Sequence, residues 1–228
     1  MSLSIIIPCL DEAESIADTL KALQPLRKRA TEIIVVDGGS GDDTVARAQP
    51  WVDRVLTAPR GRALQMNAGA ANARGEILLF LHADCILPDA ADGLIIDGLL
   101  RLHRNWGRFD VRIAGRHPLL RVVEALMNAR SRVTSIATGD QGIFVTRSLF
   151  EAAGRFPEIA LMEDVAFSRR LKRFGAPLCL SHRMITSGRR WERRGVLRTI
   201  VLMWGLRLAY WLGADPDKLA LRYAPHQQ

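Results

Sequence analysis

The chain has 228 residues, 48% of them apolar, and carries 32 Lys and Arg against 24 Asp and Glu, a net charge of +8. That length and apolar content support one substantial core and exclude a disordered chain, and no low-complexity stretch or internal repeat divides it. Three cysteines, Cys9, Cys85 and Cys179, stand far apart with no CxxC spacing, which excludes a structural zinc and fits a reducing cytosol. The positive charge is local. Between Arg169 and Arg198 ten Lys or Arg meet one acid, Glu192, a net of +9, so the other residues sum to −1. Such a region suits a phosphate-bearing substrate or an anionic membrane surface, and no nucleic-acid-reading motif accompanies it.

The opening run lacks a basic leader segment and reads as a strand from Leu3 to Cys9 rather than a signal peptide. Asp11, Glu12, Glu14 and Ser15 stand where a helix begins, matching capping and macrodipole preferences, and Ile16, Leu20 and Leu23 recur at helical spacing before Pro25. Thr31 to Val36 is a second β-branched run ending in Asp37 and the turn Gly38–Gly41. Asp42, Asp43 and Thr44 open a short helix, and Arg54 to Thr57 makes a third strand. Gly61 to Ala73 is helical. Ile77 to Leu81 is an unbroken apolar run, which suits a strand buried on both faces; it is left through His82, Ala83 and Asp84. Further on, 94–102, 118–136 and 163–174 read as helices, and 109–114 and 142–146 as strands. Strand–helix alternation of this kind predicts an α/β fold with a mostly parallel sheet flanked by helices. Residues 196–212 are apolar except for Arg198, Thr199 and Arg207. Those two arginines count against a membrane span, leaving an interfacial helix, a dimer helix or a core helix.

Three acids stand out by position. Asp37 and Asp84 follow strands that share a carboxyl edge if the sheet is parallel, and Asp164 sits with Glu163 at a helix start after Pro157. Each alone reads equally as a helix cap, Asp84 for the helix after Pro88. Together, with Arg60 and Arg62 nearby, they match a nucleotide-diphosphate site in which a hard cation bridges phosphates. The glycines at 38–41 do not follow the first strand, so they are no dinucleotide fingerprint, and no P-loop is present.

Ser4–Pro8 with Asp11 and Glu12, Ile34–Thr44, Arg62–Gly69, Ala73–Glu76, Leu81–Asp84 and Met162–Val165 together resemble family 2 glycosyltransferases of the GT-A (Rossmann-like) fold, over roughly residues 3 to 191. Phe80–Asp84 and Gly139–Gly142 are most similar to small bacterial members named for arsenosugar biosynthesis. The resemblance implies a glycosyltransferase domain at 1–191 and a C-terminal amphipathic helical extension at 192–228. It implies an inverting transfer from a nucleotide-sugar donor to an acceptor, small or lipid-linked. Pro8, Glu12, Asp37, Arg62, Asn67, Ala83 and Asp84 would border the donor, and Asp84, with His82, would hold Mn2+ or Mg2+. Asp164 would be the catalytic base, with Asp140, Glu163, Arg190 and Trp191 on the acceptor side. His82 replaces the first acid of the family's DxD motif. Imidazole ligates Mn2+ better than Mg2+. Ser187 replaces the glutamine of the QxxRW motif, which argues against processive polymer synthesis. A nucleotidyltransferase on a related sheet and a non-catalytic module binding anionic lipid or nucleic acid are the alternatives. A cytoplasmic protein is expected, peripheral at the inner membrane face or dimeric through the last helix.

Overall fold

The computed structural model describes residues 1–223, apart from the side chains of Arg190, Arg193 and Arg194. One sheet is built from β1 (Leu3–Cys9), β2 (Glu32–Asp37), β3 (Arg54–Thr57), β4 (Ile77–Phe80), β5 (Cys85–Ile86), β6 (Trp106–Ile113), β7 (Ile143–Thr146) and β8 (Leu178–Thr186). Their spatial order is β3-β2-β1-β4-β7-β6-β8-β5. β1 lies parallel between β2 and β4, and β2 pairs in parallel with β3, so the carboxyl ends of this half share one edge. β6 and β8 are also parallel, whereas β4–β7, β6–β7 and β5–β8 are antiparallel, which makes the sheet mixed.

Helices cover both faces: α1 (Ile16–Ala22), α2 (Gln24–Arg27), α3 (Thr44–Ala48), α4 (Arg62–Asn72), α5 (Ala91–Arg101), α6 (Pro118–Thr134), α7 (Arg147–Ala152), α8 (Glu163–Leu171), α9 (Arg189–Arg194), α10 (Val196–Trp211) and α11 (Pro216–Tyr223). Alternate side chains of a strand point to opposite faces, and the isoleucine-rich strands feed two cores. Ile5, Ile7, Ile33, Val35 and Leu79 pack with Ile16 and Leu20 of α1 and Ile95 and Leu99 of α5. Ile6, Ile34, Val36, Leu78 and Phe80 pack with Ala63, Met66 and Ala70 of α4. Phe80, Phe150, Phe156 and Phe167 close that second core with ring centroids 4.3–6.0 Å apart. A Cβ at Gly69 would collide with Ile6, so this glycine sets how closely α4 lies on β1. The residues after 191 pack on the same body: Val196 meets Leu120 of α6, and Leu206, Leu219 and Tyr223 meet Leu161, Met162 and Val165.

Several local expectations are corrected. Ser15 makes no side-chain cap for α1, and the acids before it tie loops together instead. Asp11 Oδ1 accepts from Gly41 N at 2.8 Å, and Asp42 Oδ2 accepts from Ala13 N at 3.1 Å, knitting the β1–α1 and β2–α3 connections. Asp84 does not cap the helix after Pro88, because α5 starts at Ala91 behind Ala90 in the left-handed region. β8 was not expected. Its alternation breaks at the exposed residues Ser181, His182 and Arg183, where β8 bulges by two residues, Ser181 and His182, opposite the Phe109–Asp110 step of β6.

Candidate active site

At the carboxyl edge of β2, Asp37 is 4% exposed and spends its carboxylate on its own loop. It accepts from Gly39 N at 2.9 Å, Ser40 N at 3.0 Å and the Ser40 hydroxyl at 2.5 Å. Gly39 takes φ +88°, a value that glycine adopts without strain. Burial, then the Asp37 carboxylate, push the adjacent Cys9 thiol up to about 12, so it stays a thiol. Gln65 of α4 pins both strand ends, donating to Cys9 O at 2.7 Å and Val36 O at 2.8 Å. Pro8 is buried in β1 opposite Val36. Glu12 Oε2 accepts from the Ser15 hydroxyl at 2.7 Å and lies 3.4 Å from Arg189 Nη2.

Arg62 is exposed at the first turn of α4. Asn67 is committed elsewhere: its amide donates to Phe156 O at 2.9 Å and accepts from Phe156 N at 3.1 Å. Its contribution is to hold the loop after α7 against α4. Asp37 and the tip of β4 are two strands apart, roughly 10 Å at the usual strand spacing, a gap on the scale of a nucleoside diphosphate.

β4 is followed by Leu81, whose N–H still bonds Ile6 O at 3.0 Å; the chain then turns through His82, Ala83 and Asp84 into β5. Ala83 is buried and its carbonyl accepts from the Thr19 hydroxyl at 2.7 Å. Because β7 runs against β4, with Ile143 opposite Phe80, the turn at Gly139–Gln141 arrives at this same tip. His82 Nδ1 stands 3.3 Å from Asp140 Oδ1, and a Cβ on Gly139 would collide with the imidazole ring. Burial is the largest influence on His82 and lowers its pKa. Its hydrogen bond to Asp140, helped by the charges of Asp140 and Asp84 and opposed by Arg62, outweighs that and leaves the imidazole above its ordinary value.

Gly139 is also the link to α8, its N–H donating to Asp164 Oδ2 at 2.8 Å. Ser168 of α8 holds the preceding turn by accepting from Ala137 N and donating to Ala137 O, both at 3.1 Å. Asp164 is half-buried, whereas Glu163 is 4% exposed. Burial first, then the neighbouring Asp164, push Glu163 from 4.5 up to about 7, against Arg62 and His82. His82, Asp84, Asp140, Glu163 and Asp164 therefore form one group. Asp37 and Glu12 border it across β1.

Trp191 packs against the cluster of Ile113, Leu120 and Val196 rather than into this group, and the side chain of Arg190 lies outside the described residues. Sequence reasoning missed two arginines next to Asp164, Arg130 of α6 and Arg207 of α10. Burial lowers both, Arg130 to about 10, and the Asp164 charge works against that lowering. Arg207 had left a signal, since an arginine inside an apolar helix needs a polar reason to be there.

Residues 4–122 match Glycosyl transferase family 2. The glucosyl-3-phosphoglycerate synthase of Mycolicibacterium paratuberculosis is 31% identical over 97 residues, 38% of this chain and 30% of that protein. The poly-beta-1,6-N-acetyl-D-glucosamine synthase of Staphylococcus epidermidis is 30% identical over 103 residues, 42% of this chain and 24% of that protein. The chain thus spans about a third or less of these curated relatives. Among solved structures, S. aureus TarS 1–349 in complex with UDP-GlcNAc superposes with a TM-score of 0.65 at 18% identity, over 82% of this chain and 58% of that one. Glucosyl-3-phosphoglycerate synthase from Mycobacterium tuberculosis, in complex with Mn2+, UDP and phosphoglyceric acid, gives 0.55 at 20% identity, over 80% and 68%. These likenesses establish the fold, that of the GT-A glycosyltransferases. With more than half of its length matched to the family and that fold around the acids of its sheet edge, the chain belongs to glycosyl transferase family 2.

Proposed function

We propose that the chain is an inverting glycosyltransferase that moves a sugar from a nucleoside-diphosphate donor to an acceptor hydroxyl, with Asp164 as general base. The observation that carries this reading is the convergence of Asp84, the His82–Asp140 pair and Asp164 around Gly139. The loops of Glu12 and Asp37 border the donor's base and ribose, and Arg62 faces its diphosphate. Two glucosyl-3-phosphoglycerate synthase structures hold UDP with Mn2+ or Mg2+, and one TarS structure holds UDP-GlcNAc, which supports UDP as a first probe. The likeness of Phe80–Asp84 and Gly139–Gly142 to the arsenosugar-type members supports a place in that subfamily.

A divalent cation fits the residues present. Ligand atoms of His82, Asp84 and Cys85 lie within 4.8 Å of one another. Burial, the largest cause, and the Asp84 and Asp140 charges keep the Cys85 thiol protonated, leaving one oxygen and one nitrogen donor. That mixed pair suits Mn2+ better than Mg2+. Bound there, the ion would supply positive charge where the diphosphate leaves. Asp164, oriented by the Gly139 N–H, takes the proton from the attacking hydroxyl. Glu163, pushed up to about 7 chiefly by burial, is the poorer candidate for a carboxylate base, so Asp164 takes that role. With one base and no second carboxylate assigned as nucleophile, transfer is a single displacement and the anomeric configuration inverts.

The exposed stripe Leu197, Val201, Trp204, Leu208 and Trp211 on α10, with Arg198 beside it, supports peripheral contact with an anionic membrane. Among the described residues no helix is long and apolar enough to cross one. The test of the reaction is Asp164→Asn: UDP binding in Mn2+ is retained, turnover falls by about 10²-fold or more, and the wild-type product shows the inverted anomer by NMR. Unchanged turnover in this variant removes Asp164 as base.

A further inference from the structure

Behind Asp164, α6, α8 and α10 enclose a cavity of about 180 Å³. Arg130, Arg169 and Arg207 line it, and no acid does. The contrast with a cavity of about 290 Å³ at the amino edge of the sheet is informative. There Arg27 pairs with Asp53 at 2.9 Å and Arg74 with Glu32 at 3.9 Å, and the third arginine, Arg54, donates to Asn72 O at 2.7 Å, so each has a partner. In the α6–α8–α10 cavity, Arg130 Nη2 is buried and has no hydrogen-bond partner among the described residues. Arg169 stacks over the Tyr210 ring at 5.3 Å, which fixes its guanidinium without neutralising it. The carboxylate whose charge bears on both Arg130 and Arg207 is that of Asp164. One acid against three cations, of which Arg169 is exposed, leaves the pocket positive, and the buried Nη2 of Arg130 is costly without a hydrogen bond unless an anion completes it.

The other walls are apolar or aromatic: Ile136, Met162, Val165, Tyr210 and Trp211. The volume is below the roughly 300 Å³ that encloses a whole drug-sized ligand, so it suits a head group and the first atoms of a chain. Planar guanidiniums bind phosphate bidentately, and three of them match a dianion better than a carboxylate.

We propose that this cavity is the anion subsite of the acceptor, taking the phosphate head of an amphiphilic molecule whose apolar part lies against Met162, Tyr210 and Trp211. The assignment to an acceptor rests on Asp164 being the base; the capture of the phosphate does not. Trp211 is 69% exposed and belongs to the outward stripe of α10, so the cavity opens beside the apolar surface from which such a molecule would enter.

Calorimetry with octyl phosphate, 1-octanol and inorganic phosphate tests this on the whole chain. Octyl phosphate binds with 1:1 stoichiometry, at least about 10-fold tighter than either of the others, and Arg130→Met and Arg207→Met each weaken it about 10- to 100-fold, the worth of a charge-assisted hydrogen bond. UDP affinity in Mn2+ stays unchanged in both variants. Ligand-free Arg130→Met melts at a higher temperature than wild type because an unpaired buried charge is gone, whereas a merely structural arginine would lower the melting temperature on removal. Equal octyl phosphate affinity in wild type and variants, or its displacement by UDP, overturns the subsite. Inorganic phosphate binding as tightly as octyl phosphate, or octanol doing so, overturns the amphiphile. Arginine-dependent octyl phosphate binding in a chain that transfers no sugar would overturn the proposed reaction and leave the subsite standing.

Discussion

Replacing Glu163 by Gln keeps shape and hydrogen-bonding capacity and removes a titration. In the fold this carboxyl is pushed to about 7 from an ordinary 4.5, chiefly by burial and then by Asp164. The folded protein therefore holds a proton that the unfolded chain releases from about pH 4.5 upward. Between those values the native state binds more protons than the unfolded one, so stability falls as pH rises, and above about 7 the loss is complete and constant. At about 1.4 kcal/mol per pH unit, a shift of this size is worth on the order of 3 kcal/mol. Glu163→Gln avoids that cost. Urea unfolding should find the variant more stable than wild type by about 3 kcal/mol at pH 8 and within about 0.5 kcal/mol of it at pH 4.5. The same difference at both pH values, or a variant less stable at pH 8, would refute the view that Glu163 is buried against its charge.

Three further outcomes are expected. Asp84→Ala abolishes the Mn2+-dependent part of UDP binding, read as the affinity ratio with Mn2+ and with EDTA; an unchanged ratio removes Asp84 from the cation. Gly139→Ala, whose methyl would occupy the place of the His82 ring, displaces the imidazole and weakens Mn2+-dependent UDP binding by about 10-fold or more; the fluorescence and melting temperature should change little, and retained affinity counts against a role for His82. Trp204→Ala with Trp211→Ala, both exposed, lowers co-sedimentation with phosphatidylglycerol vesicles but not with neutral ones; equal pelleting of wild type and variant ends the membrane reading.

The parallel half of the sheet was legible because β1, β2 and β4 are short apolar runs that stop at Asp37 and at the His82–Asp84 turn. The grouping of Asp84 with Asp37 and Asp164 was legible from their places at strand ends and a helix start, and the separate roles given to them came only from family resemblance. What hid from the sequence was contact across long separations. His82 meets Asp140 because β7 inserts antiparallel next to β4, and no local pattern reports a strand's direction. Asn67 resembles a donor-binding residue, and its amide nitrogen and oxygen are both bonded to the backbone of Phe156, 89 residues away. Asp11 looked like a helix cap and instead binds backbone across the neighbouring loop, while Asp42 does both, accepting from Thr44 N at the start of α3 and from Ala13 N across the loop. β8 stayed hidden because its middle faces solvent over a bulge.

The reversal of β7 has a consequence for how such a protein diversifies. Reversal delivers 137–142 to the same rim as the ends of β1, β2 and β4, so two separately encoded stretches meet at one edge of the sheet. Under the proposed reaction, one stretch can accumulate substitutions that retune what receives the sugar while the other goes on recognising an unchanged donor. The His82 ring is a point where the two are joined, 3.3 Å from Asp140 and packed against Gly139. Evolution or an engineer could exchange the receiving side by replacing that turn together with the entry to α8, and leave the delivering side as it stands.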